Sequence, residues 1–298
     1  MPVFAPIRAG VSRSVHSMRT RFLALLVAMF LAISCAAPER ASPPDRVLFV
    51  GNSLTYVGNV PAVFSALAEA NGTPMPSDMI VKGGATLSER VADGSVARAL
   101  AEHRYAWLVL QERGGDLMCS FGPESCVQSR QAIDALARMG DAHGVKVVLL
   151  GSYQLHPHAS RMLVEKESAA ATEAGVPYVE ISETLQRLRD HAPDLVWFAP
   201  DGMHPGKDLA LLDAIRLHQV LRGRAPTPAP LMVKAPIHGV SSGLTAVLRA
   251  SDAPPPRPDT APGAQYDAET LRRIIDVVEP VLIDGNDILA RPVEALPR

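Results

Sequence analysis

Short, mostly apolar segments alternate with segments of helical periodicity through the middle of the chain. The apolar segments lie at 47–50, 79–82, 107–110, 146–150 and 176–181. The helical patterns lie at 61–70, 96–103, 127–143, 162–173 and 207–221. Strands that are apolar on both faces and alternate with helices are typical of a parallel sheet covered on each side. We therefore predict an α/β protein, a three-layer α/β/α sandwich around a five-stranded parallel sheet.

Small and polar residues follow four of these predicted strands. They are Gly51-Asn52-Ser53, Gly83-Gly84, Gln111-Glu112 and Gly151-Ser152. In open parallel sheets, ligands bind beyond the carboxyl ends of the strands. The four segments are therefore expected to converge on one site.

Length and charge restrict the class of protein. The 298 residues carry a net charge of −2, and 47% of them are hydrophobic, which is enough for one sizeable core. There is no excess of basic residues to neutralise phosphates, so a nucleic-acid partner is not expected. We divide the chain into a signal segment (1–36), a spacer (37–45), an α/β domain (46–223) and a Pro-rich extension (224–298).

The extension contains one clear helical pattern. Between 267 and 279, apolar residues recur at the spacing i, i+3, i+4, i+7, at Leu271, Ile274, Ile275 and Val278. This stripe predicts an amphipathic helix that packs on another part of the protein. We interpret the extension as an appendage to the α/β domain and not as a second catalytic unit.

The N-terminus has the pattern of an export signal. Arg19 and Arg21 precede an apolar run at 22–33, and small residues follow at 34–37. A basic flank, a short apolar run and small residues are typical of a signal peptide, and the run is short for a membrane span. We expect the protein to be exported, to the periplasm, as a membrane-anchored lipoprotein or in secreted form.

Three cysteines refine this expectation. Residues 31–35 resemble a bacterial lipoprotein box, in which Cys35 would carry the lipid and tether the protein to a membrane; ordinary cleavage after Ala36 is the alternative. Cys119 and Cys126 are close in sequence and are a candidate disulfide pair, the alternative being two free thiols. The segment 116–126 would then be a stapled lid beside the site.

Two short motifs have the residue types of nucleophilic catalysis. Glycine at the end of the first strand permits a sharp turn that presents Ser53, although a helix N-cap explains such a serine equally well. Asp201 lies three residues before His204, just ahead of the helix predicted at 207–221. A neutral imidazole is suited to take a hydroxyl proton, and a nearby acid can fix its tautomer. An Asp that caps the helix beside a surface His is the alternative.

Together these segments resemble the SGNH/GDSL hydrolase family. The match spans 47–221, with 51–54 as the first block, although Asn52 stands where many members have Asp, and 201–205 as the last block, D-x-x-H-P. The resemblance implies a flavodoxin-like SGNH hydrolase fold. It also implies that Ser53 is the nucleophile and that His204 is the base, oriented by Asp201.

The family further implies an oxyanion hole of three donors, and such donors are worth about 10²–10³ in rate each. By the resemblance they are the backbone N–H of Ser53, that of Gly84, and a carboxamide from a third block. The third block departs from the usual G-x-N-D, and Gln111-Glu112 stands there instead, as in carbohydrate acetylesterase-like members. Gln111 is the candidate donor; a buried Gln that satisfies loop backbone is the alternative.

Other histidines suggest no further chemistry. His156 and His158 have H-x-H spacing but no third ligand nearby in sequence, so we expect no metal and no cofactor. The sequence predicts a serine ester hydrolase acting on short acyl esters through an acyl-enzyme, carbohydrate O-acetyl groups being one class suggested by Gln111-Glu112. Alternatives are an acyltransferase of envelope polysaccharide and a non-catalytic binding module on the same fold. The oligomeric state stays open.

Overall fold

A computed structural model describes residues 45–257 and 260–278. Its central sheet contains five parallel strands in the order β5-β4-β3-β1-β2. These strands are β1 (Val47–Gly51), β2 (Ser77–Val81), β3 (Trp107–Leu110), β4 (Lys146–Leu150) and β5 (Tyr178–Val179). The candidate lipidation site Cys35 and the whole export signal lie outside the described residues.

Helices cover both faces of the sheet. They are α1 (Ser53–Tyr56), α2 (Val60–Ala70), α3 (Leu87–Ala92), α4 (Ser95–Glu102), α5 (Pro123–Ala142), α6 (Pro157–Glu173), α7 (Ser182–His191), α8 (Lys207–Arg222) and α9 (Ala268–Val277). Alternate residues of β1 point to opposite sides: Phe49 packs with α2, α7 and α8, whereas Leu48 packs with α4 and α5. The predicted three-layer α/β/α fold is confirmed.

The sheet has a sixth strand that the sequence did not predict. β8 (Arg249–Ala250) pairs antiparallel with β2, with Asp78 opposite Ala250 and Met79 opposite Arg249. This strand has two residues and no apolar run, so periodicity has nothing to detect. The extension therefore supplies the edge strand that covers β2.

Other described segments of the extension also pack on the α/β core. β6 (Leu231–Val233) pairs with β10 (Ala264–Tyr266), and β7 (Ile237–His238) pairs with β9 (Thr260–Ala261). The predicted amphipathic helix is present as α9, and its Leu271 and Ile274 are buried.

In the part of the chain that the structure describes, no helix is both long and apolar enough to cross a membrane.

Five helices differ from the sequence prediction. The short helices α1 and α3 were not predicted. α5 and α6 begin earlier than predicted, each with a proline, Pro123 and Pro157, in its first turn. Proline is favoured there because an N–H in the first turn of a helix has no intrahelical acceptor, so the absence of that N–H costs no hydrogen bond. α7 was not predicted; it follows the short strand β5 directly, and its ten residues are mostly polar.

Candidate active site

Ser53 lies at the carboxyl end of the central strand β1. Asn52 caps α1 by accepting a hydrogen bond from the Leu54 N–H at 3.0 Å, so Ser53 is the first helical residue. Only glycine fits at position 51, because a Cβ there would lie 2.2 Å from Thr55 Oγ1 and 3.1 Å from the Gln111 carbonyl oxygen. The tight turn thus presents Ser53 at the edge of the sheet.

Asp201 and His204 lie in the loop between α7 and α8, which several contacts hold in place. The Tyr153 hydroxyl donates to the Met203 carbonyl at 2.7 Å, and the Ala199 N–H donates to the His204 carbonyl at 2.9 Å. At Gly206, a Cβ would lie 2.2 Å from a backbone carbonyl oxygen, so the end of the loop tolerates no side chain. These contacts at Met203, His204 and Gly206 therefore hold the loop in place.

The fold brings these three side chains into one hydrogen-bonded chain. With His204 protonated on Nδ1, the Ser53 hydroxyl donates to His204 Nε2 at 3.0 Å, across 151 residues of sequence. His204 Nδ1–H donates to Asp201 Oδ2 at 2.6 Å. This is the order of contacts in which a histidine can take a serine proton while an acid holds its tautomer.

The loop also holds Asp201 in its charged form. Asp201 Oδ1 accepts from the N–H groups of Met203 and His204 at 2.9 and 3.0 Å. The backbone hydrogen bond from His204, followed by the bond from its side chain, lowers the pKa of Asp201 to about 2. An ionised carboxylate only accepts hydrogen bonds, so the proton stays on Nδ1 and Nε2 is free to accept.

The site is open to solvent. The side chain of His204 is 15% exposed and that of Asp201 is 34% exposed. Met203, between them, is one of the most exposed large apolar side chains among the described residues. A substrate therefore has direct access to the Ser53–His204 pair.

Gly84 lies in the loop that joins β2 to α3, beside the serine turn. β2 is the neighbour of β1, and the Tyr56 hydroxyl lies 3.1 Å from where a Cβ on Gly83 would be. Gly84 has a positive φ of 69°, and a Cβ added there would meet no atom within 4 Å apart from its chain neighbours. Arg113 Nη1 donates to its carbonyl oxygen at 3.3 Å. The loop thus lies between α1 and the segment that follows β3.

Gln111 differs from what the resemblance implied. Gln111 is 1% exposed. Its Nε2 donates to the Gly151 carbonyl at 3.2 Å, and its Oε1 accepts from Thr55 Oγ1 at 2.7 Å. The protein engages its Oε1 and one of its two Nε2 hydrogens, and burial shields the whole side chain from solvent, so the carboxamide is poorly placed to receive a substrate oxyanion. The contacts favour the alternative of a buried Gln that satisfies its own protein, so Gln111 is left out of the oxyanion hole proposed below.

The segment after Gln111 forms a cross-linked loop. A disulfide joins Cys119 to Cys126, with the Cα atoms 4.8 Å apart. Arg113 binds both carboxylate oxygens of Asp116 at 2.6 and 2.7 Å, and its guanidinium lies 4.3 Å from the ring centre of Phe121, which is 61% exposed. The loop therefore carries a cation and an aromatic ring beside the Gly84 segment.

Sequence reasoning did not single out Arg113, Phe121 or Tyr153 as residues around the site. The close cysteines indicated the loop, and Tyr153 directly follows the predicted strand end at 151–152. The contact of Arg113 with Gly84 joins residues 29 positions apart, and that of Tyr153 with Met203 joins residues 50 positions apart, which no local pattern reports.

The remaining candidates have structural contacts. His156 caps α6 by accepting from the His158 N–H at 3.3 Å. Across residues 45–257 and 260–278, no group of three or more His, Cys, Asp or Glu is arranged to hold a metal ion. Two aromatic residues lie just before the Asp201–His204 segment: Trp197 is buried and donates to the Ala192 carbonyl at 3.0 Å, and Phe198 packs against Tyr153.

No protein-family model and no curated protein matches this sequence. Solved structures do resemble it. One, from Slackia heliotrinireducens, is proposed to be an SGNH hydrolase; it is 22% identical, covers 60% of this chain and 100% of its own, and has a TM-score of 0.49. The acetylxylan esterase Axe2 from Geobacillus stearothermophilus is 14% identical, covers 59% and 93%, and has a TM-score of 0.47.

A third similar structure is that of TesA, which is 22% identical, covers 60% of this chain and 99% of its own, and has a TM-score of 0.48. Likeness at this level does not transfer an activity, so the chemistry has to be inferred from the site itself. The solved structures that this chain resembles include SGNH/GDSL hydrolases.

Proposed function

We propose that this protein is a serine ester hydrolase with Ser53 as nucleophile. The observation that carries the proposal is the chain of contacts from Ser53 Oγ to His204 Nε2 and from His204 Nδ1 to Asp201, at 3.0 and 2.6 Å. Three side chains from two distant segments meet in this order at the open end of a parallel sheet. A helix-capping serine beside a surface histidine would require no such alignment.

The mechanism follows from these positions. Ser53 Oγ attacks the ester carbonyl while His204 Nε2 takes its proton, and Asp201 stabilises the imidazolium that forms. The N–H groups of Ser53 and Gly84 bind the oxyanion of the tetrahedral intermediate. His204 then gives the proton to the leaving alcohol, and a water attacks the acyl-enzyme with His204 again as base.

The proposed substrates are short acyl esters, with acetyl groups on carbohydrates as the first class to test. Support comes from the sequence resemblance at Gln111-Glu112 and from a site that is open enough to admit a bulky alcohol. Export is part of the proposal: the N-terminal sequence pattern and the disulfide of Cys119 with Cys126 both favour an oxidising compartment.

The test is hydrolysis of p-nitrophenyl esters of increasing acyl length and of an acetylated xylan, by the protein without its signal segment. Ser53→Ala is compared with Ser168→Ala, a control serine in α6. We expect release of p-nitrophenol that is fastest with acetyl, absent in Ser53→Ala and unchanged in Ser168→Ala. Equal rates in Ser53→Ala and the wild type would refute the proposal.

The same assay separates the two alternatives. Acyl transfer to added oligosaccharide faster than hydrolysis would identify an acyltransferase that uses the same residues. Tight binding of acetylated glycans without turnover, unaffected by Ser53→Ala, would identify a binding module.

A further inference from the structure

Glu112 is a buried carboxylate that joins three segments of the chain. It is 1% exposed and lies directly after β3. Its oxygens accept from the Leu87 N–H at 3.2 and 3.3 Å, from the Arg113 N–H at 3.0 Å and from Ser129 Oγ at 2.9 Å. Leu87 begins α3 and Ser129 lies in α5, so one side chain connects the Gly84 loop, the Arg113 loop and a helix.

Burial of this carboxylate is unfavourable in itself. Desolvation, followed by the charge of Asp116, raises the pKa of Glu112 to about 7, and its three donors only partly offset that effect. Ionisable groups whose pKa is strongly shifted by burial and by a neighbouring charge are enriched at functional sites. The contacts of Glu112 show what it holds.

Those contacts bracket the candidate oxyanion loop. Leu87 is three residues after Gly84, so the Glu112–Leu87 bonds fix the far end of the loop. Arg113, whose N–H also binds Glu112, donates from Nη1 to the Gly84 carbonyl oxygen. The near end is fixed by β2, which pairs with β1 up to the Gly51–Val81 position.

We propose that Glu112 is the positioning residue of the oxyanion hole: it holds the Gly84 segment against the Arg113 loop so that the Gly84 N–H keeps its place relative to Ser53. Glu112 is shielded from solvent and does not touch the substrate. This inference rests on the proposed ester hydrolysis. Oxyanion stabilisation depends on preorganised donors, and a misplacement of about 1 Å costs up to about 10²-fold in rate.

The test compares Glu112→Gln with Glu180→Gln. Glu180 is a matched control, since it accepts from two backbone N–H groups, those of Glu183 and Thr184, and from the Thr184 hydroxyl at the start of α7. The measurements are kcat and KM for p-nitrophenyl acetate, the inhibition constant of an alkylboronic acid that forms a tetrahedral adduct on serine, and the thermal unfolding midpoint.

We expect Glu112→Gln to lower kcat and to weaken boronic-acid inhibition by a similar factor, about 10- to 100-fold, with KM changed less than about threefold. Glu180→Gln should leave all three constants within about threefold, whatever its effect on the unfolding midpoint. If Glu112→Gln does not fold, Ser129→Ala removes one donor only, and we expect the same selective loss at about three- to tenfold.

Two results would overturn the inference. In the first, Glu112→Gln or Ser129→Ala keeps the kcat and the boronic-acid affinity of the wild type. The same conclusion holds if these constants fall no further than in Glu180→Gln at an equal loss of thermal stability. Glu112 is then only a structural residue. In the second, the wild type shows no more ester hydrolysis than Ser53→Ala. The proposed function then fails, and the inference fails with it.

Discussion

Replacement of Asp201 by Asn is the sharpest test of the site. Asn at this position can still accept from the N–H groups of Met203 and His204 through one oxygen. It would, however, present an NH₂ group to His204 Nδ1, where the carboxylate now accepts at 2.6 Å. Two donors cannot face each other, so the imidazole would carry its proton on Nε2 and could not accept the Ser53 proton.

The size of the effect follows from this tautomer change. A triad acid replaced by its amide costs up to about 10⁴-fold in kcat. Asp201 is one-third exposed, so water can partly compensate, and we expect a loss of about 10²- to 10⁴-fold, equivalent to about 3 to 5 kcal/mol in activation free energy. KM should change little, because the lost interaction acts on proton transfer and not on substrate binding.

The assay is hydrolysis of p-nitrophenyl acetate by Asp201→Asn, beside Asp194→Asn as control. Asp194 is a suitable control because hydrogen bonding to Arg273 likewise lowers its pKa to about 2, but its partner lies in α9. We expect Asp194→Asn to keep wild-type kcat. Retention of kcat within about tenfold in Asp201→Asn would show that the imidazole does not depend on the Asp201 charge, and the triad interpretation would be wrong.

Three further predictions concern the framework of the site. Gly206→Ala should lower kcat/KM by about 10²-fold, because the new Cβ would lie 2.2 Å from the Val196 carbonyl and displace the His204 loop; a wild-type value would contradict this. Burial raises the pKa of Glu167 from 4.5 to about 7, so over that range the native state holds a proton that the unfolded state has released. The free energy of unfolding measured with urea should therefore fall as pH rises between these values, by up to about 3 kcal/mol, and Glu167→Gln should remove that part of the fall; an unchanged slope would contradict the assignment. Replacement of both Cys119 and Cys126 by Ser should lower the free energy of unfolding by about 2.5 kcal/mol, the loop-closure value for a cross-link across seven residues, and an unchanged urea midpoint would contradict it.

The layered fold was predictable because its signal is local. Each parallel strand is buried on both faces and therefore reads as an apolar run, as at 47–50 and 146–150, and each helix carries its own periodicity. β8 escaped prediction for the opposite reason: Arg249 and Ala250 form a strand only because β2 offers an unpaired edge. α7 escaped because its sequence is mostly polar and follows β5 without a turn signal.

The candidate site divides in the same way. The turn at Gly51 and the i, i+3 spacing of Asp201 and His204 are local, so the sequence by itself indicated these residues and the chemistry that they suit. The 3.0 Å contact of Ser53 with His204 joins positions 151 residues apart, and only the packed sheet and its loops determine it. The same holds for Gln111, whose carboxamide was assigned a donor role by resemblance, whereas Thr55 and the Gly151 carbonyl engage both of its ends. Residue type and spacing are properties of the chain, but which hydrogen-bond partners a side chain finds depends on what the tertiary structure places within hydrogen-bonding distance of it.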